Sequence, residues 1–471
     1  VLQSVSNEAQ GQDLDPDELG YRLFEGTTGE ALAEQLLATG ERYVFRNSAS
    51  PDASIYEALV DRPQLKYVIT PHEGPGAAMA AGYMKASGEP AIVMQAGVVG
   101  LTNAMGQMYN SWKEQIPLVF YSYTRPATSA QGRDAFEEVE NQDDMVAPIS
   151  KYRWVATRAD KIPDTVRRAF KAAWTPPRGP SYMSWYMDFD GKQIRTEIID
   201  QDKLDPRMRV RPNPSEVESA ADLLVGAERP VMIVGDEVYR AKAIPQAVAL
   251  AESLGIAVVQ ARQVHTSFPQ NHPLWAGEMR SVDRLDYPPS PDVVINVGDK
   301  LHHSGARLIV PRATRFIDMR IDATSGGRVQ RTDVPLVADV AFGLADLQAA
   351  VDDRLTTSLK ARAAERISAS QAYRQRVDAI AAQVANNPYW NDSPMLSDRV
   401  TYEVAAFADE DAIIVDDAGS IGRAHSFVYD PINGRERFYY YGAHLGTGVG
   451  TAAGVQLARP DRQVICLVGD G

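Results

Sequence analysis

Cysteine is nearly absent from this chain of 471 residues: only Cys466 is present. No intrachain disulfide can form, which suits a reducing compartment. Cys466 lies in an apolar run, where a thiol is expected to act as a small core side chain. Long apolar runs are missing too, and none approaches the roughly 20 residues that span a bilayer. The opening stretch, VLQSVSNEAQGQDLDPDELG, is polar and acidic. It has no basic region followed by an apolar one, so it does not read as a signal peptide. Positive charge is in short supply, with 48 Lys and Arg against 62 Asp and Glu, a net charge of −14. That balance argues against sequence-independent nucleic-acid binding, which needs a basic face. What remains is an ordinary globular composition, 44% hydrophobic and 23% charged. The expectation is a cytoplasmic enzyme with a small-molecule substrate and neither nucleic acid nor membrane as partner.

Residues 1–26 read as an extended arm. From 27 to 190, helix-like and strand-like segments alternate. TGEALAEQLLATG has helical apolar spacing and ends at Gly40. RYVF, KYVIT, PAIVMQ and PLVFYSY read as strands, and Leu101 to Lys113 as the helix between the last two. Strand, helix, strand at this length gives parallel pairing. Residues 191–213 are polar and proline-containing and read as a linker. Residues 214–350 alternate again, with strands RPVMIVG, IAVVQ, PDVVINVG and TRFIDMRID and a helix over Ile244 to Leu254. Residues 351–395 form a charged, exposed helical connection. A third α/β unit, 396–471, holds a helix over Ser397 to Asp409, a strand AIIVDDAG, a glycine-rich helix near 445–458 and the strand VICLV. Two clear strands are too few for a doubly wound domain, so the natural chain is expected to continue past Gly471. The fold expected is α/β, three doubly wound parallel-sheet domains with the last one incomplete.

Three stretches can carry chemistry. KYVITPHEGPGAAMAAG ends a strand at Thr70 and begins a helix near Pro75. Glu73 then stands at the carboxyl end of a parallel strand, where open α/β sheets bind ligands. An isolated acid there is otherwise a helix-dipole partner, and His72 beside it a capping residue. GDG, residues 469–471, lets the backbone approach closely and offers a carboxylate, Asp470, suited to Mg²⁺ and phosphate oxygens. GAHLGTGVGTAAG contains Gly-x-Gly-x-Gly, but it follows a tyrosine run, not a clean strand, so a dinucleotide loop is poorly supported.

In order and spacing, these stretches resemble the thiamine diphosphate (ThDP) enzymes of the acetolactate synthase, pyruvate decarboxylase and benzoylformate decarboxylase group. The resemblance runs from about Thr27 to Gly471. It is carried by PHEGPGAAMAAGYMKASGEPAIVM, VVGLTNAMGQMYNSWKEQIPLVFYS and GVQLARPDRQVICLVGDG. Benzoylformate decarboxylase is closest in flavour. The resemblance implies a pyrimidine-binding domain at 27–190, a central domain at 214–350 and a diphosphate-binding domain at 396–471. It implies that Glu73 works on the aminopyrimidine of ThDP and that Asn103 lies at the same site. Leu445 would support the bent cofactor. Gly419, Ser420, Gly469 and Gly471 would reach the diphosphate, and Asp470 would bind Mg²⁺. Because the halves of such a site come from two subunits, a homodimer or homotetramer is implied.

The chain also departs from that pattern. Gln95 and Ala96 stand where benzoylformate decarboxylase has a histidine. His302 and His303 lie near a second family histidine, also readable as loop residues. Ser50, in FRNSAS, matches a substrate-contact serine, though the usual Pro-Gly is gone. These residues and His72 are the candidate substrate contacts. VGDEVYRAK carries no signature for FAD. The activity implied is cleavage or formation of a C–C bond beside a carbonyl, on a 2-oxo acid or aldehyde. A decarboxylase or lyase is the first reading and a carboligase the alternative. A nucleotide-binding oxidoreductase and a non-catalytic relative stay open as readings of other classes.

Overall fold

The computed structural model describes residues 21–47, 50–126, 137, 139–200, 210–260, 264–279, 282–301, 309–328, 330–419, 436–439 and 444–470. Ser420, Gly471, His302 and His303 lie outside these.

The first part of the chain runs β1 (Tyr21–Thr27), α1 (Thr28–Ala38), β2 (Tyr43–Arg46), α2 (Ala53–Val60), β3 (Lys66–Ile69), α3 (Glu73–Ser87), β4 (Ile92–Gln95), α4 (Gly97–Glu114), β5 (Val119–Ser122), β6 (Tyr152–Ala156), α5 (Ile162–Trp174), β7 (Ser181–Trp185) and β8 (Gln193–Ile199). Six of these strands form a parallel sheet in the order β3-β2-β4-β5-β7-β6. Alternation along each strand feeds two cores. Val44, Ile92, Met94, Val119 and Tyr121 face α1, α2 and α5, while Phe45, Val93 and Phe120 face α3 and α4. Burial on both sides explains why these strands read as continuous apolar runs. Gly40, at φ 83°, follows the end of α1 in the left-handed conformation that terminates helices.

Two readings change here. Residues 21–27 and 193–199, assigned above to arm and linker, pair as an antiparallel ribbon. Their polar faces hid the alternation. The helix at Glu73 also starts earlier than Pro75. His72 caps it, its Nδ1 accepting the Gly74 N–H at 3.1 Å, so Glu73 is the first helical residue and Pro75 falls within the first turn.

The second part comprises α6 (Pro214–Gly226), β9 (Pro230–Val234), α7 (Asp236–Arg240), α8 (Ile244–Leu254), β10 (Ala257–Gln260), β11 (Trp275–Glu278), β12 (Val293–Val297), β13 (Arg315–Arg320), β14 (Val334–Val337) and α9 (Val340–Asp352). Its sheet is parallel, in the order β11-β10-β9-β12-β13-β14. Strands β11 and β14, which the sequence reading left out, are its edges. The helix α10 (Thr357–Ala381) then leads to α11 (Ser397–Phe407), β15 (Ile413–Asp417), β16 (Glu436–Tyr439), α12 (Gly448–Ala458) and β17 (Val464–Val468). Three parallel strands, in the order β16-β15-β17, form the last sheet, one more than the sequence suggested. Cys466 on β17 is half-buried and packs against the cluster of Ile413, Val415, Phe438 and Val455. Desolvation, with Asp417 and Asp416 nearby, pushes this thiol up to about 11.

Small residues bring the first and last units together. A Cβ on Gly82 of α3 would fall 2.1 Å from the Thr451 carbonyl oxygen, and one on Gly454 of α12 would fall 1.9 Å from that of Met79. The two helices thus touch backbone to backbone at points where only glycine fits.

Candidate active site

The first sheet changes direction between β2 and β4. The chain steps from β2 outward to β3, then crosses back to β4 on the other side. The carboxyl ends of β2 and β4 therefore flank the crevice where ligands bind in this architecture. The residues there are Arg46 closing β2, Asn47 after it, Glu73 after β3 and Gln95 closing β4.

Glu73 is 5% exposed. Its Oε2 accepts from Asn103 Nδ2 at 3.0 Å and its Oε1 from Asn47 Nδ2 at 3.3 Å. No cation pairs with it among the described residues. A single chain is enough to bury it. Gly100 is part of the reason: a Cβ there would lie 3.0 Å from Glu73 Oε1.

Gln95 is fully buried, and neither its Oε1 nor its Nε2 has a hydrogen-bond partner among the described residues. Such a group costs roughly 1–3 kcal/mol unless something completes it. Thr70 Oγ1, at the end of β3, is likewise buried and unpartnered among the described residues. Below them, the sequence reading missed a buried ion pair. Arg46 donates to Asp52, which also accepts from Tyr121 Oη at 2.6 Å. Desolvation raises the Asp52 carboxyl despite the Arg46 charge.

The structure brings Glu73, Asn103 and Gln95 to one place and leaves other predicted residues elsewhere. His72 is exposed and occupied as a helix cap. Ser50 opens a short 3₁₀ turn, Ser50–Asp52, in the loop after Asn47. Leu445 projects from the third unit, 67% exposed. Gly419 and Gly469 end β15 and β17 side by side, with open space where each Cβ would be. Asp470 follows, exposed. Asp417 accepts the Gly448 N–H at 2.7 Å at the start of α12, and desolvation raises its carboxyl. Among the described residues no three His, Cys, Asp or Glu side chains converge to hold a metal. Asn47 escaped sequence reasoning, although its place directly after a strand at the sheet's reversal was a usable signal.

The corresponding crevice of the second sheet, between β9 and β12, is filled by the protein itself. A Cβ on Gly235 would fall 2.3 Å from Asp299 Cα. Asp236 accepts from the His265 N–H at 2.9 Å and faces His265 Nδ1 at 3.0 Å. Burial opposes its charge, but the His265 bond and Arg240 hold it below the carboxylate range. Desolvation pushes Glu237 and Asp299 up to about 7 and draws Lys300 down to about 8.

Comparison with known proteins identifies this arrangement. Three family models match in order: "Thiamine pyrophosphate enzyme, N-terminal TPP binding domain" over 26–145, the "central domain" over 217–347 and the "C-terminal TPP binding domain" over 417–471. The chain belongs to the thiamine pyrophosphate enzyme family and is a ThDP-dependent enzyme of the decarboxylase and carboligase group. Among its relatives are the acetolactate synthase isozyme 1 large subunit of Escherichia coli, 27% identical over 88% of this chain and 72% of that one; the benzoylformate decarboxylase of Pseudomonas aeruginosa, 26% over 94% and 81%; and the sulfoacetaldehyde acetyltransferase of Castellaniella defragrans, 26% over 95% and 77%. The fold is shared with the ThDP-dependent 4-hydroxybenzoylformate decarboxylase of Rhodococcus jostii, with TM-score 0.77 and 24% identity over 94% of this chain and 81% of that one. It is shared too with the benzoylformate decarboxylase of Polynucleobacter necessarius, with TM-score 0.78 and 21% identity over 95% and 81%. The glycine run at 446–450 thus falls inside a TPP-binding domain, which removes the support for a dinucleotide loop. No helix among the described residues is long and apolar enough to cross a membrane.

Proposed function

We propose that this enzyme uses ThDP and Mg²⁺ to break or make the C–C bond beside the carbonyl of a 2-oxo acid, with decarboxylation as the first reading. The observation that carries this is Glu73, a buried carboxylate at the sheet's reversal, held by two amides and no cation among the described residues. These residues fit an aminopyrimidine: an acid able to share a proton, the unpaired Gln95 amide beside it, and Gly100 keeping the space clear.

When bound, ThDP supplies a nucleophilic carbon for a 2-oxo carbonyl and an electron sink for cleavage. Glu73 would hold or release a proton at its carboxylate, facing the ring. Asn103 and Asn47 fix the carboxylate in the orientation that this exchange needs. Leu445 would pack beneath the cofactor. Gly419, Ser420, Gly469 and Gly471 would admit the diphosphate, and Asp470 would offer one oxygen to Mg²⁺. In this reading residues 27–190 hold the pyrimidine half, residues 396–471 hold the diphosphate half, and residues 214–350 lie between them. Ser50, His72, His302 and His303 remain substrate-loop candidates. The apolar side chains of Val99, Leu445 and Val449 stand more than half exposed. A second copy of the chain would cover them, giving a homodimer or a tetramer acting on small molecules in the cytoplasm.

Gln95 supports the second reading, carboligation. A neutral amide can orient a carbonyl but has no proton to give, so the retained unit stays available to an acceptor. The two readings are separated by incubating the full-length protein with ThDP, Mg²⁺ and a panel of 2-oxo acids, with and without an aldehyde. Product formed only when the aldehyde is present favours carboligation. In the same assay, Glu73→Gln should lose at least about 100-fold in turnover. It should keep most of the ThDP-induced rise in melting temperature. Undiminished turnover would remove Glu73 from the chemistry.

A further inference from the structure

Helix α4 carries two asparagines, Asn103 and Asn110, seven positions apart. Seven residues make nearly two helical turns, so both fall on one side of the helix, about 10 Å apart along its axis. Asn103 holds the Glu73 carboxylate. Asn110 holds something quite different: the backbone of His444, the residue before Leu445. Its Nδ2 donates to the His444 carbonyl at 3.0 Å, and its Oδ1 accepts the His444 N–H at 3.1 Å. The amide is buried, and Gln107 Oε1 receives its Nδ2 at 3.2 Å, which fixes which end faces which partner. One turn back, Gly106 leaves space for the His444 ring: a Cβ there would lie 2.5 Å from it. The backbone leading into Leu445 is therefore gripped by a helix of the first unit.

We propose that Asn110 is a positioning residue for the cofactor site. With Gly106 it sets the height of the Leu445 side chain, and the same rigid helix sets Glu73 through Asn103. The inference rests on reading Leu445 as the residue beneath bound ThDP.

The test uses the full-length protein with two variants, Asn110→Ala and Gly106→Ala. The first removes both hydrogen bonds. The second leaves Asn110 in place, improves helix propensity and pushes the His444 ring away. Amide hydrogen exchange without cofactor should quicken at residues 444–447 in both variants. ThDP affinity, titrated with Mg²⁺ present, should fall about tenfold in Asn110→Ala, the size expected from losing two backbone bonds, and should also fall in Gly106→Ala. The melting temperature of the cofactor-free protein should change little. Unchanged ThDP affinity in both variants overturns the proposal. So does a loss of affinity matched by an equal loss of cofactor-free stability, which would make the clasp merely structural. Failure of the unmodified protein to bind ThDP would instead defeat the reading of Leu445, and this inference with it.

Discussion

Gln95 shows how a single side chain can sacrifice stability for a site. Its amide is buried with neither atom paired among the described residues, at the end of a central strand and beside Glu73. A leucine there would fill similar volume without an orphaned polar group. Gln95→Leu should therefore raise the unfolding free energy of the cofactor-free protein by about 1 kcal/mol, read from denaturant titration. The same change should lower kcat/KM for the 2-oxo acid at least tenfold, because the substrate or cofactor loses its partner. A destabilised variant with normal kinetics would show that the amide serves packing alone. Sequence comparison could mark position 95 as a departure from the family. It could not show that the amide is unsatisfied, since that depends on neighbours from α4 and β5.

Helix α4 is held at its far end by a different unit of the chain. Lys300 donates to the Lys113 carbonyl at 2.5 Å, and Arg240 reaches the Glu114 carbonyl and, at 3.2 Å, Gln115 Oε1. Cations at a helix C-terminus complement its dipole. They sit against Asp236, Glu237, Asp299 and His265, and this cluster makes stability depend on pH. Asp299 and Glu237 have folded-state values of about 7, above their ordinary 3.8 and 4.5. The folded state therefore holds protons that the unfolded state has released. The stability they contribute is complete below about pH 4 and is lost as pH rises through 7, at up to about 1.4 kcal/mol per pH unit per group. Lys300 behaves oppositely. Its folded value, about 8 against 10.5, favours the folded state above pH 10.5 and loses that contribution as pH falls through 8. Asp299→Asn retains an acceptor for the Leu301 N–H, so it should fold and show a shallower decline between pH 4 and 7 in guanidinium titrations. An unchanged slope would mean that Asp299 is ionised throughout that range.

Across the molecule, the seam between α3 and α12 joins the first unit to the last. Its contacts at Gly82 and Gly454 leave no space for a methyl group. Gly454→Ala should cost about 1–3 kcal/mol, the usual penalty of overpacking. It should also weaken ThDP binding by shifting α12, the helix that follows Leu445. Calorimetry with and without ThDP and Mg²⁺ checks both, and an unaltered cofactor-induced shift would show that the seam does not set the site.

Much of this could be read from residue order. Short continuous apolar runs separated by helical spacing pointed to the parallel sheets, and strand–turn–helix placement put Glu73 at a carboxyl edge, because both patterns are local. Long-range facts were not legible: the β1–β8 ribbon, the edge strands β11 and β14, the Arg46–Asp52 pair, and the grip of Asn110 on His444. Each joins residues far apart in the chain, and no spacing rule records which distant backbone a given asparagine will meet. Local periodicity dictated the elements, and the resemblance of three motifs pointed to the family of the site. Only the packing of α4 against three separate units decided that Glu73 would be buried within one chain and that Leu445 would be held in place from outside its own sheet.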